Sequence, residues 1–100
     1  MRVAWNPVAL SELEEAETYY SERKPGLGDD LVEAVDGAVQ RVLADPERFD
    51  VVEENIRRCR VPRFPYDLYF DVVGDILRIL VVKHHRRRPG YWRQRLQSDE

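Results

Sequence analysis

Apolar residues in this chain change their period once, at Asp45-Pro46, and that change constrains the fold more than any other feature. Upstream, Ala9, Leu13, Ala16 and Tyr20 recur at intervals of 4, 3 and 4, and Leu27, Leu31, Ala34, Ala38 and Val42 repeat the spacing. Such intervals line up one apolar stripe along a helix. Asn6-Pro7 supplies a start for the first helix, with the amide side chain as cap and proline at the first helical position. Glu12, Glu14, Glu15 and Glu22 fall off the stripe, which predicts a solvated acidic face. Arg23-Lys24-Pro25-Gly26 breaks that helix, and a second is predicted from about Gly28 to Ala44. Asp45 ends it, because a residue before proline is pushed out of the helical region. Two helices that each have a single apolar side need a further layer to pack on.

Downstream the period is that of a strand. Tyr66, Leu68, Phe70 and Val72 share one face of a predicted strand over 66–73, and residues 56–61 form another with β-branched ends. Gly74-Asp75 turns the chain into a strand over 76–84, with Leu77, Ile79 and Val81 on one face and Arg78 and Val82 on the other. Val3 and Trp5 alternate in a short first strand. The expected fold class is α+β in the order β-α-α-β-β-β, a helical hairpin packed on a mostly antiparallel sheet. With no internal repeat, low-complexity tract or linker, residues 1–100 are expected to make a single domain.

Charge divides at nearly the same place. Residues 1–55 hold 5 Lys and Arg against 14 Asp and Glu, and residues 56–100 hold 11 against 5, so a formal net charge of −3 splits into −9 and +6. The asymmetry suits either an anionic partner for the second half or attraction between the halves across the fold. Lys83-His84-His85-Arg86-Arg87-Arg88-Pro89 concentrates it. The predicted role of this run is to end the last strand and turn the chain across a sheet face left open and cationic. MRVAWNP is too short and polar for a secretory signal, and the apolar run ILRILVV, interrupted by Arg78, is far too short to span a bilayer. Cys59 is the one cysteine, so no internal disulfide can form, which fits the reducing cytoplasm. A small buried residue on a strand accounts for it. Adjacent His84 and His85 point to opposite sides of a strand with no carboxylate or thiolate at ligand spacing, so no metal site and no cofactor is expected.

Along the last three strands the residues resemble the RelE/ParE superfamily, toxins of type II toxin–antitoxin modules, and most closely its ParE-like branch. Arg57 and Arg58, Phe64-Pro65-Tyr66, Tyr69, His84, Arg87, Pro89, Trp92 and Arg95 occupy the places of that pattern, and WNPVALSELEEAETYY is similar to its first strand and helix. The resemblance implies growth inhibition and plasmid stabilisation by a cytoplasmic toxin. It also implies neutralisation by a cognate antitoxin in a hetero-oligomer, with no membrane involved. Two activities follow from it. One is inhibition of DNA gyrase by binding, and the other is ribosome-dependent cleavage of messenger RNA. A weakly toxic or inactive member is a third outcome.

Cleavage needs a base for the 2′-hydroxyl, cations for the phosphate and a proton for the leaving oxygen. Arg58, Arg60, His84, Arg87 and Tyr91 are the candidates for that chemistry. No lysine pair accompanies the arginine strand, no general-base glutamate is evident in the second half, and the chain is acidic where those nucleases are basic. These departures favour the gyrase-directed reading. Arg57, Arg58, Arg60, Arg63, Arg86, Arg87, Arg88, Trp92 and Arg95 are the expected contacts for an acidic, partly hydrophobic antitoxin segment or the target. Plain structural roles compete with each: packing for His84 and Trp5, a covered sheet edge for Trp92, solvated charge for His85 and Arg86 to Arg88.

Overall fold

The structure, a computed structural model, describes residues 1–97. Strand β1 (Arg2–Trp5) leads into helices α1 (Pro7–Arg23) and α2 (Leu27–Ala44), followed by β2 (Val51–Glu53), β3 (Ile56–Arg60), β4 (Tyr66–Val73), β5 (Ile76–His84) and a short α3 (Arg93–Gln97). The sheet runs in the order β1-β5-β4-β3-β2 and is antiparallel except for β1 beside β5. The α+β class and the helical hairpin on a mostly antiparallel sheet are as expected, with β2 and α3 added. None of these helices is long and apolar enough to cross a membrane.

Local chemistry explains the helical hairpin. The Asn6 side-chain oxygen accepts from the backbone N–H groups of Val8 and Ala9 at 2.8 and 3.2 Å, so two of the unpaired donors at the start of α1 are satisfied. Gly26 sits at φ +86°, which a side chain would resist, and lets α2 begin with only three residues between it and the end of α1. The close approach of the two helices has a second requirement: at Gly28 a Cβ would overlap Ser21 Oγ and the Glu17 carbonyl.

The apolar stripes meet the sheet as the spacing predicted. Ala9, Leu13 and Ala16 of α1 and Leu31, Val35, Ala38 and Val42 of α2 bury against Cys59, Leu68, Phe70, Leu77, Ile79 and Val82. Cys59 is the small buried strand residue its surroundings require, and burial pushes its thiol above the ordinary value.

One expectation fails inside β5. Tyr69 pairs with Val81 but its neighbour Phe70 pairs with Ile79, so Leu80 is an extra residue, a β-bulge. Beyond the bulge the phase shifts: Val82 joins Leu77 and Ile79 under the helices, and Val81 turns with Leu80 to the opposite face. The predicted grouping of Val81 with Leu77 and Ile79 is therefore reversed.

The opposite face is not open. Ile56, Tyr69, Leu80, Val81 and Trp92 form a second buried cluster, with Tyr91 and Leu96 packed against it. The chain turns back after Pro89 and lays residues 91–97 over its own sheet.

Candidate functional site

Strand β1 pairs with β5 only as far as Ile79, so from Leu80 onward that edge of β5 has no strand beside it. Unpaired backbone groups on an edge need partners. Glu12 of α1 fills the gap: its Oε1 accepts the Val82 N–H at 3.1 Å, while Arg95 Nη1 reaches the Leu80 carbonyl at 3.5 Å. Glu12 and Arg95 also clasp each other in a two-pronged pair, Nη1 to Oε1 at 2.8 Å and Nη2 to Oε2 at 3.1 Å. Tyr91 donates its hydroxyl to Glu12 Oε2 at 2.6 Å. Three separate pieces of chain, α1, β5 and the C-terminal segment, thus converge on one carboxylate.

The expectation that Glu12 belongs to a solvated acidic face is overturned. Its side chain is 15% exposed and that of Arg95 is 14% exposed. Burial works against the Arg95 charge, yet the Glu12 carboxylate outweighs it and holds the guanidinium above its ordinary pKa. A weak signal was present in the sequence. Glu12 lies three residues after Ala9 and four before Ala16, on the flank of the apolar stripe.

Beside this clasp a groove of about 200 Å³ runs between α1 and the end of β5, lined by Glu15, Ala16, Tyr19, Tyr66, His84, Arg87 and Tyr91 among others. An aromatic series forms its wall. Tyr66 meets His84 edge-on at 5.1 Å between ring centres, and Tyr20 stands behind Tyr66 at 6.4 Å. The Arg87 guanidinium lies over the Tyr91 ring, 3.9 Å from its centre.

The titrating groups here are poorly set for proton transfer. His84 Nδ1 accepts the Arg86 N–H at 3.0 Å, which leaves the ring proton on Nε2. Burial, and then the nearby charges of Arg86, His85 and Lys83, lower the His84 pKa below 6.5, so the ring is neutral near pH 7. Burial, followed by the hydrogen bond and charge of Glu12, pushes the Tyr91 hydroxyl well above its ordinary pKa. Tyr66 is raised to about 12 by burial and by Tyr20. A neutral imidazole with its basic nitrogen engaged and two reluctant phenols can donate hydrogen bonds and stack; they make weak acids and bases.

Of the five nuclease candidates, the groove gathers three: His84, Arg87 and Tyr91. Arg58 and Arg60 are elsewhere. Register pairs Arg58 with Tyr69 and Arg60 with Asp67, on the sheet face turned away from the helices. No hydrogen bond or ion pair is found for either guanidinium among the described residues.

The nine expected contact residues do not form one surface. Arg57 points to the helix side and donates to the carbonyls of Phe49 and Glu47 at 2.7 and 3.2 Å, tying down the segment before β2. Arg63 faces Asp30 of α2 at 3.8 Å. Trp92 is 2% exposed and meets Tyr69 edge-on at 5.3 Å, covering the face of β3, β4 and β5 rather than the sheet's edge. Arg95 is held by Glu12. Arg58, Arg60, Arg86, Arg87 and Arg88 remain exposed. Part of the charge asymmetry is spent inside the molecule, since Arg63–Asp30, Arg93–Glu53 and Arg95–Glu12 each join the basic half to the acidic one.

Comparison with known proteins places this architecture. A solved structure titled "Chromosomal ParDE TA system from P. aeruginosa" is similar to it, with a TM-score of 0.74 and 18% sequence identity, covering 84% of this chain and 95% of that one. No curated protein matches the chain. Residues 3–89 match the family described as the ParE toxin of the type II toxin–antitoxin system, parDE. That match spans β1 through β5 and the arginine run, and the chain belongs to the ParE toxin family.

Proposed function

We propose that this ParE-family chain arrests growth by binding DNA gyrase, and that a cognate antitoxin silences it within a hetero-oligomer. The observation that supports binding over catalysis is the engaged state of the groove. His84 Nδ1 is occupied, the Tyr91 hydroxyl is committed to Glu12, and Arg58 and Arg60 lie on β3, which β4 separates from β5, facing away from His84. RNA cleavage would need a free base, a ready acid and phosphate-binding cations in one place. The groove instead offers a hydrogen-bond donor, a cation and aromatic faces, which suit recognition.

Exposed Arg86, Arg87 and Arg88 would draw in an acidic antitoxin segment, raising the encounter rate more than the final affinity. Changing all three to alanine and titrating the antitoxin tests this: unchanged affinity and unchanged salt dependence would remove them from the contact.

Induced expression in bacteria tests the activity. DNA breaks and filamentous cells with translation intact are the expected result. Halted protein synthesis with cuts mapped in translated messages would replace the proposal with the ribonuclease reading. Normal growth would mark an inactive member.

A further inference from the structure

We propose that Glu12 is a positioning residue: through Tyr91 it fixes the Arg87 guanidinium at the mouth of the groove. The last step, that a partner meets Arg87 there, rests on the reading of the groove as a binding site; the positioning itself does not.

Arg87 is exposed and no ion pair restrains it among the described residues. Its recorded restraint is the stack on Tyr91 at 3.9 Å, and a stack orders a long flexible side chain only if the ring beneath it is itself held. Local structure does not hold that ring. Tyr91 lies in a turn ahead of α3, and a helix of five residues has no stability of its own. Tyr91 packs against the second buried cluster, and the contact that fixes its ring at the groove is the 2.6 Å bond from its hydroxyl to Glu12 Oε2.

Glu12 in turn cannot drift, because its oxygens also take both prongs of Arg95 and the Val82 N–H of β5. The sequence of restraints therefore runs from the β5 edge to Glu12, to Tyr91, to Arg87. Charge follows the same logic. Arg95 balances Glu12 within the clasp, which leaves the Arg87 charge available to a ligand. An immobilised arginine binds an anionic group with less entropy to lose, an advantage of roughly 3- to 10-fold in affinity.

Tyr91→Phe isolates the effect, since it deletes the hydroxyl and spares the ring, Trp92 and the Glu12–Arg95 pair. Heteronuclear NOEs of arginine Nε–Hε groups in the full-length chain read the positioning directly. In the unaltered protein Arg87 should be as ordered as Arg95 and distinct from Arg86 and Arg88. In Tyr91→Phe the Arg87 value should fall to that of its neighbours while Arg95 stays ordered. An Arg87 that is equally mobile before the substitution, or equally ordered after it, overturns the proposal.

Growth arrest after graded induction reads its use. Tyr91→Phe and Arg87→Ala should each weaken arrest by roughly 3- to 10-fold, and the double variant should match Arg87→Ala alone. Additive losses overturn the coupling. Full potency of Arg87→Ala with the expected NOE pattern overturns the groove as a contact site and leaves the positioning intact.

Discussion

The two faces of the sheet are closed by different means. On one, the helical hairpin lays two continuous apolar stripes over Leu68, Phe70, Leu77, Ile79 and Val82, and apolar packing does most of the sealing. On the other, a seven-residue segment puts Trp92 over Ile56, Tyr69, Leu80 and Val81, and ion pairs do much of the fastening. Glu12–Arg95 and Arg93–Glu53 hold the segment, and on the same face Asp71 of β4 takes two bonds from Arg78 of β5 at 2.7 and 2.6 Å. The difference teaches that a sheet face too small for its own helical layer can still be dried by one large aromatic, provided charged groups anchor the chain bearing it. It also shows why a count of arginines overstates an interaction surface: Arg57, Arg63, Arg93 and Arg95 all serve the fold.

The contrast breaks most readily at its strongest point. Phe70 is fully buried beneath the helices, and Phe70→Ala should cost about 4 kcal/mol in urea denaturation. Trp92→Ala should cost less, about 3 kcal/mol, because a short segment can lift where a helical layer cannot. A larger loss at Trp92 than at Phe70 would reverse the ranking of the two faces. Arg78→Ala strips the 4%-exposed Asp71 of both those bonds and should cost about 2 kcal/mol; no loss would mean that this cross-strand pair is ornamental.

His84 sharpens the comparison through pH. Its folded pKa lies below the ordinary 6.5, so the unfolded chain takes up the proton more readily. Stability is complete above that value and falls as pH drops beneath it. His84→Gln, which can still accept from the Arg86 N–H, should narrow the stability difference between about pH 7.5 and about pH 5.5. An unchanged difference would show that His84 does not sense its burial. The smallest effects belong to Arg86→Ala and Arg88→Ala, each within about 0.5 kcal/mol by the same denaturation, as befits side chains that hold nothing together.

The helix-side half of the fold was written plainly in the sequence. The stripes from Ala9 to Tyr20 and from Leu27 to Val42, the Asn6-Pro7 start and the Asp45-Pro46 stop all act within one or two turns, where spacing is informative. The rest depends on distant partners. β2 has three residues, too few for alternation to register, and α3 has five, too few for a stripe. Glu12 finds its partners at positions 82, 91 and 95, so its burial is set by the return of the chain rather than by its neighbours in α1. The same return explains why His84, Arg87 and Tyr91 meet at the end of β5 while Arg58 and Arg60, on β3 beyond β4, do not join them.

The spare residue at Leu80 makes β5 one position longer than the strand it pairs with, nine against eight. Excising Leu80 would let β5 run in step with β4 and leave every later side chain pointing as it does now. Excising Ile79 or Val82 would instead turn Leu80 or Val81 inward under the helices. Length changes in this strand are therefore tolerable at the bulge, where Leu80 and Val81 share one face, and relatives shorter by one residue should show the gap there.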